Sequence, residues 1–347
     1  MKKNNKTSML LLLAVFACLA ASCEKETLTL NDNVSNNNQI ETKDIIKFDN
    51  MDEYTKVLDS VLSMNDLELK LYEESMGYTS FGRECDEFYE SIDFEKFTTK
   101  EELFSFVENN SDYLVITEDE EGELYIETPF STNSRRYLMN KDRLFMIGKT
   151  YYKVFEDGLV SAEENNLEEL KQIKVSSIGA FESTHSLQVI KSKREIIDVD
   201  SKDNTHNCGT FVEVKKTRDR DRTRVRLSLS MEQGIYANNY YTNITCEFVV
   251  RPLKKTLGVW YFCGRTISGD VKVAYDVNLM MTNNGIYWLR RTFHKTNPGI
   301  GDSKWKDGDS YTIDGEWRNN HHIAGYDIWA ETPSVPRLEM SANKEIL

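Results

Sequence analysis

Apolar residues along this chain recur with two periods, and the change between them divides it. Tyr54, Val57, Leu58, Val61 and Leu62 fall at i, i+3, i+4, i+7 and i+8, one face of a helix. Asn50, with Glu53 three residues on, supplies an N-terminal cap. A second helix is expected over residues 66–76, stopped by Gly77. A third follows Thr99, where Glu102 completes a capping box and Leu103, Phe106 and Val107 face inward. From about residue 113 the pattern turns to strands. Residues 113–117 and 123–127 flank an acidic turn, and 143–147 and 150–155 flank Gly148-Lys149, a tight hairpin signal. Asp157-Gly158 marks another turn, and a short helix is expected near 167–173.

Past residue 205 the period is 2 almost throughout. Val225, Leu227, Leu229 and Met231 alternate with Arg224, Arg226, Ser228 and Ser230, the signature of a strand with one buried and one wet face. Residues 270–281 and 286–293 flank Asn284-Gly285, a type I′ hairpin signal, and 311–317 and 325–331 add strands. The fold class expected is α+β: an N-terminal α+β module over 47–180, a polar linker over 181–205, and an all-β sandwich or jelly roll over 206–347.

Charge sharpens the division. The chain carries 43 Lys+Arg against 57 Asp+Glu. The excess acid lies before residue 206, whereas the segment after it is slightly basic. Two modules with different surfaces would produce that change of sign. The acidic total argues against nucleic acid as a partner, because phosphate neutralisation needs a basic face.

The first 22 residues read as a signal: Lys2, Lys3 and Lys6, then an apolar run from Met9 to Ala21 too short to span a bilayer comfortably. Ala20-Ala21-Ser22-Cys23 resembles the lipobox of bacterial lipoproteins, which implies lipidation of Cys23 and a membrane partner reached through that anchor. Glu24-Lys25-Glu26 resembles the acidic tag that sends Bacteroides-type lipoproteins to the cell surface, so the outer membrane, surface-exposed, is the expected location. Residues 23–46 are polar and Asn-rich, a disordered tether with a reach of roughly 25 Å. Phe48 to Tyr54, Glu73 to Tyr78 and Met146 to Tyr152 are similar to segments of a group of Bacteroides lipoproteins of unassigned activity. That resemblance covers mainly the first module and implies an envelope protein, with no functional residue carried over.

Candidate chemistry is sparse. A symmetric hairpin of 244–251 and 257–263 about Lys254-Lys255 sets Cys246 opposite Cys263, either as a disulfide or as two buried thiols. Cys85 and Cys208 would bridge the modules or be buried. His321-His322 with Asp327 lacks metal-ligand spacing, and Asp302, Asp307, Asp309 and Asp314 lack that of an EF-hand. No nucleophile elbow, P-loop or dinucleotide motif is present, so neither metal, cofactor nor enzymatic activity is expected. All five tryptophans follow residue 259, and Trp305 and Trp317, flanked by charged residues, are expected exposed as ligand-stacking platforms while the others fill the core. The arginines at 218, 220, 222, 224 and 226 form either a solvated edge or a contact with the acidic first module. The function expected is therefore a surface lipoprotein that binds a glycan or a protein. An envelope-assembly component without a small ligand, and a hydrolase whose site is invisible in sequence, are the alternatives.

Overall fold

The computed structural model describes residues 45–174, 177–179, 181–193, 211–236, 239–281, 285–299, 304–314 and 316–347. Cys23, the tether up to residue 44, Cys208, Asn284 and Asp302 lie outside the described residues, as do the side chains of Trp288 and Trp317. Ile45 and Ile46 are buried, so the expected tether ends two residues early: this apolar pair leads directly into the first strand.

Strand β1 (Lys47–Phe48) is followed by four helices: α1 (Met51–Ser63), α2 (Asp66–Met76), α3 (Phe81–Glu90) and α4 (Lys100–Asn109). Their ends follow from sequence. Asn50 accepts from Glu53 N at 3.0 Å, Asn65 and Glu68 form a reciprocal capping box, Gly77 closes α2 at φ +71°, and Thr99 accepts from Glu102 N at 3.2 Å. Then come β2 (Val115–Glu118), β3 (Leu124–Glu127), β4 (Leu144–Ile147), β5 (Thr150–Phe155), β6 (Gly158–Glu163), helix α5 (Leu167–Gln172) and β7 (Leu187–Lys193). Long strands complete the chain: β8 (Phe211–Arg218), β9 (Asp221–Tyr236), β10 (Asn239–Thr256), β11 (Val259–Phe262), β12 (Ser268–Met281), β13 (Gly285–Pro298), β14 (Trp305–Asp314), β15 (Glu316–Thr332) and β16 (Val335–Ala342). No helix among the described residues is long and apolar enough to cross a membrane.

The fold is mixed α+β, mostly sheet, with its helices towards the N-terminus and part of the sheet curled into a half-barrel. Strands from before and after residue 205 share one twelve-stranded sheet running β1-β4-β5-β6-β7-β9-β10-β11-β3-β2. Strand β8 also pairs β9 and β14 also pairs β10. Residues 187–193, expected within a linker, are strand β7, which pairs β6 on one side and β9 on the other. In place of two modules joined by a linker, residues 42–347 form one compact unit. The joins are made at the two flanks of β10: β9, 16 residues long, takes β7 as a partner near its end, and β11 pairs in parallel with β3.

The four-stranded sheet β13-β12-β15-β16 packs on one face of β9 and β10. Val225, Leu227 and Leu229 of β9 and Ile244, Phe248 and Val250 of β10 meet Val271, Val273, Tyr275 and Ile328 there. The expected period 2 holds for that face, but the other is not wet. Arg224, Ser228, Ser230 and Glu232 are buried under the N-terminal elements.

Candidate functional site

The buried polar face of β9 is built from charge. Arg222 bonds Glu123, Arg224 bonds Glu127, and Arg226 reaches Glu127 at 2.9 Å, both acids being on or beside β3. Lys215 reaches Asp119 at 2.6 Å, and Arg135 reaches Glu232 at 2.7 Å. The arginine stripe thus divides between the two readings its sequence left open: Arg222, Arg224 and Arg226 contact the acidic first half, while Arg218 and Arg220 stay exposed. Burial alone would raise the Glu127 carboxyl, but Arg224, Arg226 and Arg251 overcome it and hold the group well below the usual carboxylate range.

Beside this charged layer lies a cleft of about 800 Å³ between α3, the 3-10 turn at Phe94–Lys96, and the ends of β10 and β11. Helix α3 forms its wall. Ser80 caps the helix, accepting from Arg83 N at 3.1 Å, and donates to Glu73 at 2.5 Å. Phe81, Cys85 and Tyr89 bury one face of it. Tyr89 Oη donates to the Ile126 carbonyl at 3.0 Å and accepts from Phe262 N at 2.8 Å, tying α3 to β3 and β11. Gly82 lets α3 approach closely: a Cβ there would meet Arg136 Cγ at 2.7 Å.

Asp86, on the turn of α3 facing the cleft, is the hub of the floor. It accepts from Arg136 Nη2, Lys304 Nζ and, at 2.8 Å, Tyr137 Oη. Burial would raise its carboxyl; Arg136 and Lys304 outweigh that and hold it far below the usual range. Arg251 of β10 lies over the Phe262 ring, 3.9 Å from its centroid, and donates to the Ser131 carbonyl at 2.9 Å. Tyr89, Phe94, Tyr261 and Phe262 pack ring against ring behind the cleft, at centroid separations of 4.8 to 5.1 Å. The rim carries Lys254 paired with Glu95, and Arg265 on Asp221 at 2.5 Å. Burial raises the Cys263 thiol, so this rim residue is no activated nucleophile. The arrangement can fix a polar ligand by charge and hydrogen bonds.

The residues singled out from sequence lie elsewhere. Cys246 and Cys263 do not face each other. The β10–β11 turn is Leu257-Gly258, which sets Leu253 opposite Phe262 and Thr256 opposite Val259. Cys246 instead lies between Leu229 and Asp309, and both thiols are free. The expected loop at Lys254-Lys255 failed because that pair stays in the strand, its side chains held by Glu95 and Glu123. Trp305 is not a platform either. It is 8 % exposed and sits edge-on to Phe248, 4.8 Å away, inside the core between the sheets. Trp317 falls outside the described side chains. His322 approaches Asp276 at 3.7 Å, while Asp309 holds Arg291 and Asp307 holds Lys295. The carboxylates of Asp119, Glu121 and Glu123 converge closely enough to hold a metal ion, but Lys215, Arg222 and Lys255 already supply the positive charge there.

Sequence reading missed Asp86, Arg251 and Lys304. A signal existed for α3, since Phe81, Cys85, Phe88 and Tyr89 recur at i, i+4, i+7 and i+8. Arg251 sits one step out of phase with the apolar run 244–250, which places it on the second face of β10.

No protein-family profile matches this chain, and no curated protein does. Four chains of solved structures match. One is the crystal structure of a DUF4848 family protein from Bacteroides thetaiotaomicron, 15% identical, with 87% of this chain and 97% of that one covered at a TM-score of 0.28. A likeness at that score supports no inference about fold or activity.

Proposed function

We propose that this protein is a lipoprotein of the bacterial outer membrane, anchored through Cys23 and exposed at the surface, that binds a polar ligand in the α3–β11 cleft without transforming it. The observation that carries the reading is the cleft floor. A cavity of about 800 Å³ is large enough for a small ligand, and its central carboxylate is pinned in the ionised state by Arg136 and Lys304. A pinned ion is a good fixed partner and a poor general acid or base. With Trp305 buried, this reading rests recognition in the cleft on charge and hydrogen bonds rather than on that tryptophan.

Two measurements test this. Protease shaving of intact cells should cleave the wild type and find the Cys23→Ala chain lost from the surface; protection until the outer membrane is opened contradicts surface exposure. Thermal-shift screening against polar small molecules should find ligands whose effect disappears in Asp86→Asn or Lys304→Met, provided each variant keeps the wild-type circular dichroism. Ligands that act equally on all three chains place binding outside the cleft.

One feature favours the envelope-assembly reading as second. Leu67 and Leu71, one turn apart on α2, are 66% and 56% exposed. Leu71→Glu would abolish co-purification of an envelope partner under that reading and leave cleft ligands unaffected.

A further inference from the structure

The described buried cations are almost all compensated, and the way each is compensated sets one apart. Arg135, Arg136, Arg222 and Arg224 each hold a carboxylate. Lys306 and Lys153 have none, but they donate to Val61 and Lys171 carbonyls in the last turns of α1 and α5, where the helix dipole supplies negative charge. Arg251 has neither. It is 6 % exposed, its hydrogen bond goes to the Ser131 carbonyl, and no carboxylate of the described residues lies within ion-pair distance. Burial and the neighbouring Arg136 lower its guanidinium to about 10, against the attraction of Glu127 and Asp86, which lie beyond ion-pair contact. A buried cation without a carboxylate in contact is costly, and a fold that pairs its other described buried arginines directly leaves this one facing a cleft.

We propose that Arg251 is the anchor of the cleft and that the ligand presents a carboxylate to it. The inference rests on the cleft being a ligand site. A buried guanidinium with no carboxylate in contact has room for one negative charge, and its planar fork matches a carboxylate in two parallel hydrogen bonds. A doubly charged phosphate would meet Asp86 on the floor and Asp66, Glu90, Asp93 and Glu95 around it. The same acids accept from hydroxyl or ammonium donors, so the rest of the ligand is rich in donors. A sugar acid and an amino acid share that chemistry.

The test is calorimetric titration of the full chain carrying Cys23→Ala with glucuronate, glutamate, glucose and glucose 6-phosphate. Saturable binding of glucuronate or glutamate is expected, and which of the two binds identifies the source. Arg251→Gln should weaken it roughly thirty-fold, and Arg251→Lys, which keeps the charge and loses the fork, roughly ten-fold. Glucose binding without either carboxylate overturns the anchor and leaves the ligand site standing. Glucose 6-phosphate binding more tightly than both carboxylates also overturns it, as does equal affinity in the Arg251 variants. Failure of all four probes counts against the ligand site itself.

Discussion

At the scale of single residues, the molecule places ionised groups where apolar ones would ordinarily go and then satisfies them. Glu127 serves Arg224 and Arg226 together, and Ser131 donates to it at 2.8 Å. Removing that one carboxylate leaves two arginines without it in a buried layer, so Glu127→Gln is expected to destabilise by about 3 to 5 kcal/mol in urea unfolding. A change under about 1 kcal/mol would mean that solvent reaches the layer. Arg251 predicts the opposite sign. As a buried cation with no carboxylate in direct contact, its replacement by Met should leave the unliganded protein as stable as before or more so, by about 1 kcal/mol in the same assay. A large loss of stability would mark it as structural. These roles were illegible in sequence for a plain reason. The spacing 222, 224, 226 reads as a wet face whether the opposing layer is water or a row of acids, and only β3 decides which.

At the scale of elements, local chemistry was legible and register was not. The caps at Asn50 and Thr99, the stop at Gly77 and the hairpin at Gly148-Lys149 are all where the residues place them, because each depends on neighbours a few positions away. The β10–β11 turn was misplaced by symmetry, since nothing local forbids two lysines from staying in a strand. Helix α3, which builds the cleft wall, went unread although its apolar spacing was there. Two substitutions test the element account. Thr99→Ala should cost about 1 kcal/mol by loss of the α4 cap. Gly308→Ala should cost more, because a Cβ there would collide with the Cys246 carbonyl and with Glu247 across the β10–β14 pair. If urea midpoints rank them the other way, the β14 register is wrong.

At the scale of the whole molecule, the acidic and basic halves explain each other. In the ion pairs that join them among the described residues, all but Arg135–Glu232 draw the acid from the N-terminal half. The division in charge, readable in sequence as two surfaces, is the complementarity of one interior. It also sets an acid limit. Desolvation opposes ionisation of Asp119 and Glu123, but hydrogen bonds from Lys215 and from Arg222 prevail and hold both at about 2. Asp86 and Glu127 lie lower in direction as well. Unfolded carboxylates titrate near 4, so these groups stabilise the fold above that value, and the contribution is lost as pH falls through the folded values. Asp59 and Glu73, raised by burial, act in the opposite sense and offset part of it. The urea midpoint should therefore hold from pH 7 to about 5 and decline between about 4 and 2; a midpoint that declines instead between pH 7 and 5 would contradict this assignment.

The central claim is that the two halves are one cooperative structure, with the cleft at their junction. The chain supplies two independent reporters: all five tryptophans follow residue 259, and the five α-helices among the described residues precede residue 173. Urea unfolding followed at once by tryptophan fluorescence and by helical circular dichroism reads the halves separately. Coincident transitions with one midpoint are the predicted result. Two resolved midpoints, the helical signal lost while the tryptophan fluorescence stays native, would contradict it.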